Sequence, residues 1–175
     1  MEKYAHFDAS ENSTGMDDSY GNRVENFRRI LGQHIQRGLR CRIHFHYIGP
    51  GLSSSEANFR AAMDIAKEHA ASLWIAGMAD IYKYQTERNA AKLTVIKSDA
   101  QQLSFQLTCK TDHSLYDQPL TIELTPPPAW NLKKLVVKDS QGGLIPTKPD
   151  KSAGVDVLRF ELPPRDSACS ISMLH

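Results

Sequence analysis

The chain has 175 residues, 41% of them apolar, and 21 basic against 20 acidic side chains for a net charge of +1. That balance offers enough apolar material for one domain or two small ones, and no electrostatic footprint for nucleic acid or an anionic membrane. No run approaches the roughly 20 apolar residues of a membrane span. The polar stretch Met1–Ser19 has no apolar core and does not read as a signal peptide, so a cytoplasmic location is the default expectation. Cys41, Cys109 and Cys169 are far apart and show no CxxC spacing. They read as buried unpaired thiols, with one chance disulfide left open, and not as a disulfide framework or a zinc ribbon.

Residues 1–20 are rich in Asp, Ser, Asn and Gly and read as a loop or ragged end, with His6-Phe7-Asp8 as a weak strand tail. Asp17-Asp18 lies in this polar stretch and reads as a solvated turn. The first helix spans Asn22–Arg37. Asn22 is its cap, Val24, Phe27, Leu31 and Ile35 form one face, and Gly38 stops it. A strand over Arg40–Tyr47 follows. The serines at 53–55 with Glu56 open a second helix, whose stripe is Phe59, Ala62, Met63, Ala66 and Ala70. Ser72–Ala76 reads as a very short strand and 78–91 as a third helix. Helix, strand, helix, strand, helix argues a parallel sheet with crossover helices.

The texture changes near Lys92. Leu93–Ile96, Leu103–Cys109, Leu120–Leu124, Lys134–Val137, Val155–Leu162 and Cys169–Leu174 are short, alternating or β-branched, and separated by turn residues. Such punctuation predicts a small antiparallel sandwich. Broken alternation over Val155–Leu162 predicts a bulge there. The expected fold is therefore a partial α/β, (β/α)-barrel-like layer over 1–91, followed by an antiparallel β-sandwich over 92–175. Two good strands cannot close a barrel, which needs about 200 residues or more. The inner strand edges would be left unpaired. The expectation is a carboxyl-terminal part of something longer, with an amino-terminal half outside this chain.

The chemistry concentrates at Leu39–Gly51. Strand alternation puts Ile43, Phe45 and Tyr47 on one side and His44 and His46 on the other. Two imidazoles at the carboxyl end of a strand, before the Gly49-Pro50-Gly51 turn, sit where α/β enzymes place reacting groups. For His44 the plainer reading is a strand histidine bonded to backbone. Trp74 reads first as core and second as a sugar-stacking platform. Tyr82, Tyr84 and Arg88 read as packing and interdomain contacts. Tyr116-Asp117, after Asp112-His113, reads as a hairpin or interdomain clamp.

The stretches GNRVENFR from Gly21, HFHYIGPG from His44, SLWIAGMADIYKYQTERN from Ser72 and LYDQPLTI from Leu115 carry a likeness. Through them the chain resembles the last part of a bacterial polysaccharide deacetylase with its trailing β domain. That resemblance covers about two thirds of this chain and the final third of the family's catalytic domain. It implies a hydrolase with a distorted (β/α) barrel that removes acetyl groups from N-acetyl sugars, using a divalent, zinc-like metal and a water. It also implies that His46 is the late-strand histidine, the usual general acid, and that the partner is a carbohydrate substrate. The family's Asp-Asp motif, carrying the base and a metal ligand, has no counterpart before a strand here. Its paired-histidine metal motif is missing too, so no metal ligand is assigned and the isolated chain is expected to be inactive.

Two alternatives come from the residues alone. A non-catalytic carbohydrate-binding or interaction module would use the β half, whose aromatics are few: Phe105, Tyr116, Trp130 and Phe160. A small metallohydrolase would use His44-x-His46 as a weak metal-ligand pair, since neutral imidazoles suit zinc.

Overall fold

The computed structural model describes residues 13–18, 24–51, 53–152 and 154–174. His6-Phe7-Asp8 and the Asn22 cap lie outside the described residues. The chain divides into two compact units, Met1–Ile75 and Ala76–His175.

In the first unit, β1 (Ser13–Gly15) pairs in parallel with β2 (Arg42–His44), with Gly15 opposite His44. Helices α1 (Val24–Arg37) and α2 (Glu56–Glu68) pack beside them. Phe27, Leu31, Ala62, Ile65 and Met16 form the core, with Ile43 and Phe45 packed against it. Phe45 meets Phe59 edge to face at 5.2 Å. Helix α1 ends on Gly38 at φ 61°, where Leu39 N–H reaches the His34 carbonyl at 2.9 Å and Gly38 N–H that of Ile35 at 3.1 Å. Those two bonds satisfy carbonyls that the last turn would otherwise orphan. Helix α2 starts on Ser55, whose hydroxyl accepts the Asn58 N–H.

The second unit opens with α3 (Met78–Ala90) and is then all antiparallel. Its strands are β3 (Ala91–Ser98), β4 (Gln102–Cys109), β5 (Leu120–Leu124), β6 (Leu135–Asp139) and β7 (Leu144–Ile145), then β8 (Thr147–Ser152), β9 (Val155–Leu162) and β10 (Ser167–Met173). One sheet has the order β3-β4-β10-β6-β7 and the other β5-β9-β8. Phe105, Leu107, Val137, Leu158, Phe160 and Ile171 belong to one buried cluster drawn from both. Pro149, opposite Leu158, sits in the outer strand β8, where a missing N–H is tolerated.

These findings correct the expected α/β, (β/α)-barrel-like layer followed by a sandwich. The described residues are mostly antiparallel β with three short α-helices, and no barrel closes among them. Parallel pairing among the described residues is confined to three register pairs and one isolated bridge between Ile48 and Ser54. The strand over Arg40–Tyr47 shrinks to Arg42–His44 because the ladder to β1 is only that long. Ser72–Ala76 is not a strand: no ladder receives it, and Trp74 and Ile75 are exposed. A βαβ alternation needs two adjacent parallel strands, and this one has lost its second. The bulge lies in β3, between Val95 and Lys97, while β9 keeps continuous register on both sides. Among the described residues no helix is long and apolar enough to cross a membrane.

Candidate functional site

Because β1 and β2 run in parallel, the chain leaves both in the same direction. Met16 N–H continues the ladder to the His44 carbonyl at 3.0 Å. Two residues past each strand, Asp17 and His46 therefore emerge together. Asp17 is fully buried and takes two bonds from one residue. Its Oδ1 accepts the His46 backbone N–H at 3.0 Å, and its Oδ2 lies 2.6 Å from the ring Nδ1. The His46 side chain is 46% exposed. With Nδ1–H donated to the carboxylate, the neutral ring carries its lone pair on Nε2.

The His46 hydrogen bond holds the Asp17 carboxyl below the usual aspartate range, against burial, which pushes the other way. This carboxylate does what orienting carboxylates do beside catalytic imidazoles: it fixes tautomer and ring angle and stabilises the protonated ring. The solvated-turn reading of Asp17-Asp18 is corrected. Burial of Asp17 follows from pairing with a residue distant in sequence, which the polar composition of 1–20 conceals.

Asp18 is committed elsewhere. Its Oδ2 accepts the Ser55 N–H at 3.0 Å, and its Oδ1 accepts Asn58 Nδ2 at 2.9 Å and the Ser54 hydroxyl at 3.3 Å. The Asn58 bond is the first cause of its lowered carboxyl, with the Ser55 N–H second. Asp18 thus pins the start of α2, adding charge at the helix's positive end. The single Ser54 hydroxyl proton is shared between Asp18 and the Met16 carbonyl at 3.1 Å, so α2, β1 and the 45–54 turn are tied together. Gly51 closes that turn at φ 97°, where a Cβ would stand 2.9 Å from the Tyr47 hydroxyl. A side chain there would strain the backbone, and the exposed tip of Tyr47 would have to move aside.

His44 is exposed, with its ring centroid 6.2 Å from that of His46 and the planes at 72°. Among the described residues no group of three or more His, Cys, Asp or Glu side chains could hold a metal ion. Both Asp17 oxygens face His46, and both Asp18 oxygens face the start of α2, so neither carboxylate offers a ligand set with the imidazoles. The donors present do not fit the divalent metal that the resemblance implies. Trp74 lies in the irregular 73–77 stretch and is 52% exposed, so it is not a core residue. Sequence reasoning singled out His46 and missed Asp17. The only available signal was an apolar Met16 just before the acidic pair.

No family model matches the chain. It is similar to a gellan lyase from a Bacillus species, at 32% identity over 59 residues, or 34% of this chain and 2% of the lyase. The chain thus spans about 2% of the length of the curated relative it matches.

Proposed function

We propose that this chain is the proton-transferring, carboxyl-terminal part of a polysaccharide deacetylase, acting on acetylated amino sugars and inactive by itself. The observation that carries this reading is the half-exposed His46 imidazole set by the buried Asp17. His46 protonates the leaving amine when the carbon–nitrogen bond of the amide breaks. Asp17 stabilises the charged ring before that transfer and restores the tautomer after it. The deacetylase-like stretches around His46 support the assignment. The likeness to a protein named for a lyase of gellan, a polysaccharide, supports carbohydrate as the substrate class. The described residues offer no set of side chains that could hold a metal, so the family's base and metal are assigned to a part outside this chain.

A non-catalytic binding module is less well supported. Phe105, Trp130 and Phe160 are buried in the second unit's core and form no exposed aromatic platform.

Acetate release from acetylated chito-oligosaccharides tests the reading. The chain with zinc alone should release none. Mixed with an amino-terminal part of a polysaccharide deacetylase carrying its own Asp-Asp and paired-histidine motifs, it should give turnover that His46→Ala removes. No turnover in the mixture, or turnover indifferent to His46→Ala, rejects the proposal.

A further inference from the structure

Glu87, near the end of α3, is a fully buried charge-bearing side chain with no part in the His46 corner. Its carboxyl group is divided. Oε1 accepts the Gln118 backbone N–H at 3.1 Å. Oε2 has no hydrogen-bond partner among the described residues. Gln118 belongs to residues 110–119, which carry the chain from β4 in the five-stranded sheet to β5 in the three-stranded one.

The same connection is stapled to α3 at a further point. Lys83 Nζ lies 2.8 Å from Asp117 Oδ1. At the end of β4, Cys109 Sγ donates to the Glu87 backbone carbonyl at 3.5 Å. The titratable and charged groups around Glu87 are therefore Lys83 on its own helix, Cys109 on β4, and His113, Tyr116 and Asp117 on the connection.

A buried carboxylate with one oxygen unsatisfied is costly when ionised, because it has left its hydration behind. Protonation removes most of that cost and leaves Oε1 able to accept the Gln118 N–H. Ionisation drives the group toward water, and access to water requires the connection to lift. We propose that Glu87 is a proton-operated latch, holding the β4–β5 connection against α3 when neutral and releasing it when ionised. Burial is the chief cause raising this carboxyl. Asp117 adds to the rise, while the Gln118 N–H, Lys83 and His113 oppose it. A raised acid gives stability that is complete below its unfolded-chain value and is lost as pH rises through the folded one.

The experiment uses the full chain and amide hydrogen exchange, corrected for the intrinsic pH dependence of exchange. Protection of the Gln118 amide should fall about threefold or more between pH 5 and 8.5. The Leu107 amide in the core should keep its protection. Glu87→Gln should flatten the Gln118 profile, and His113→Asn, which removes the imidazole of the connection, should leave the fall in place. Independently of any variant, the carboxyl carbon of Glu87 followed by NMR should titrate above the ordinary glutamate value of about 4.3. An ordinary or lower midpoint, or the same Gln118 profile in Glu87→Gln, overturns the latch. If Glu87→Gln does not fold, the carboxyl titration decides alone.

Discussion

The ring Nδ1 of His46 lies 2.6 Å from a carboxylate oxygen of Asp17, 29 residues earlier in the chain. A ring held this way carries its proton on Nδ1. Asp17→Asn offers an amide of similar shape without the charge, so the Nδ1–H tautomer should lose its advantage. Nitrogen NMR of the labelled imidazole should show Nδ1–H in the parent and Nε2–H in the variant. In the reconstituted reaction the variant should lose about 10²–10⁴-fold, the usual worth of a positioned proton donor. An unchanged tautomer would remove the orienting role from Asp17.

Acid should weaken the first unit through Asp17 and Asp18. Both carboxyls sit below the ordinary aspartate range, held down chiefly by His46 and by Asn58 respectively. Their folded forms bind protons less readily than the unfolded chain. The stability they add is whole above about pH 3.9 and drains as acidification passes through their folded values. Urea melts followed by Trp74 fluorescence, with Trp130→Phe to silence the second unit, provide the check. At pH 7 Asp18→Asn should be less stable than its parent, and the gap should narrow as pH falls below about 3.9. Equal melts at pH 7 would contradict the pinning of α2 by Asp18.

Two glycines should respond to alanine with opposite signs. Gly32 lies inside α1 with open space around its missing Cβ, so Gly32→Ala should stabilise by about 0.5–1 kcal/mol. Gly51 has φ 97° and the Tyr47 hydroxyl 2.9 Å from where a Cβ would sit, so Gly51→Ala should destabilise by about 1–2 kcal/mol. Tyr47→Phe should recover part of that loss and leave the backbone strain. Thermal denaturation of the four proteins measures both signs, and a neutral Gly51→Ala would refute the geometry given for the 49–51 turn.

Leu158 has no exposed surface and shares a buried cluster with Phe105, Phe160 and Ile171. Leu158→Ala should cost about 2–5 kcal/mol in denaturant melts followed by Trp130. Val155→Ala, at the exposed start of the same strand, should cost less than about 0.5 kcal/mol.

The six β-rich segments between Leu93 and Leu174 were legible because alternation and turn residues act locally. Thr147–Ser152 was not: Pro149, Asp150 and two lysines give no strand signal, and only pairing to β9 makes it β8. Ser72–Ala76 failed in the opposite sense, since its apolar side chains read as a strand but find no ladder. His46 stood out by its place after a strand. Asp17 did not, because its burial is created by a partner far along the chain. Glu87 likewise looked like one more polar residue of α3, and only the return of Gln118 from beyond β4 encloses it.

Leu93 and Val95 stand in register with the buried Leu107 and Phe105, yet both are at least half exposed. Two of the four edge strands, β3 and β8, therefore differ in kind. On the β8 side, a proline blocks one rung of any incoming backbone. On the β3 side, only Lys92, Lys97 and a local kink stand guard over an oily margin. Fibre growth at high concentration would begin from that margin, and a lysine at position 95 is the economical place to forestall it.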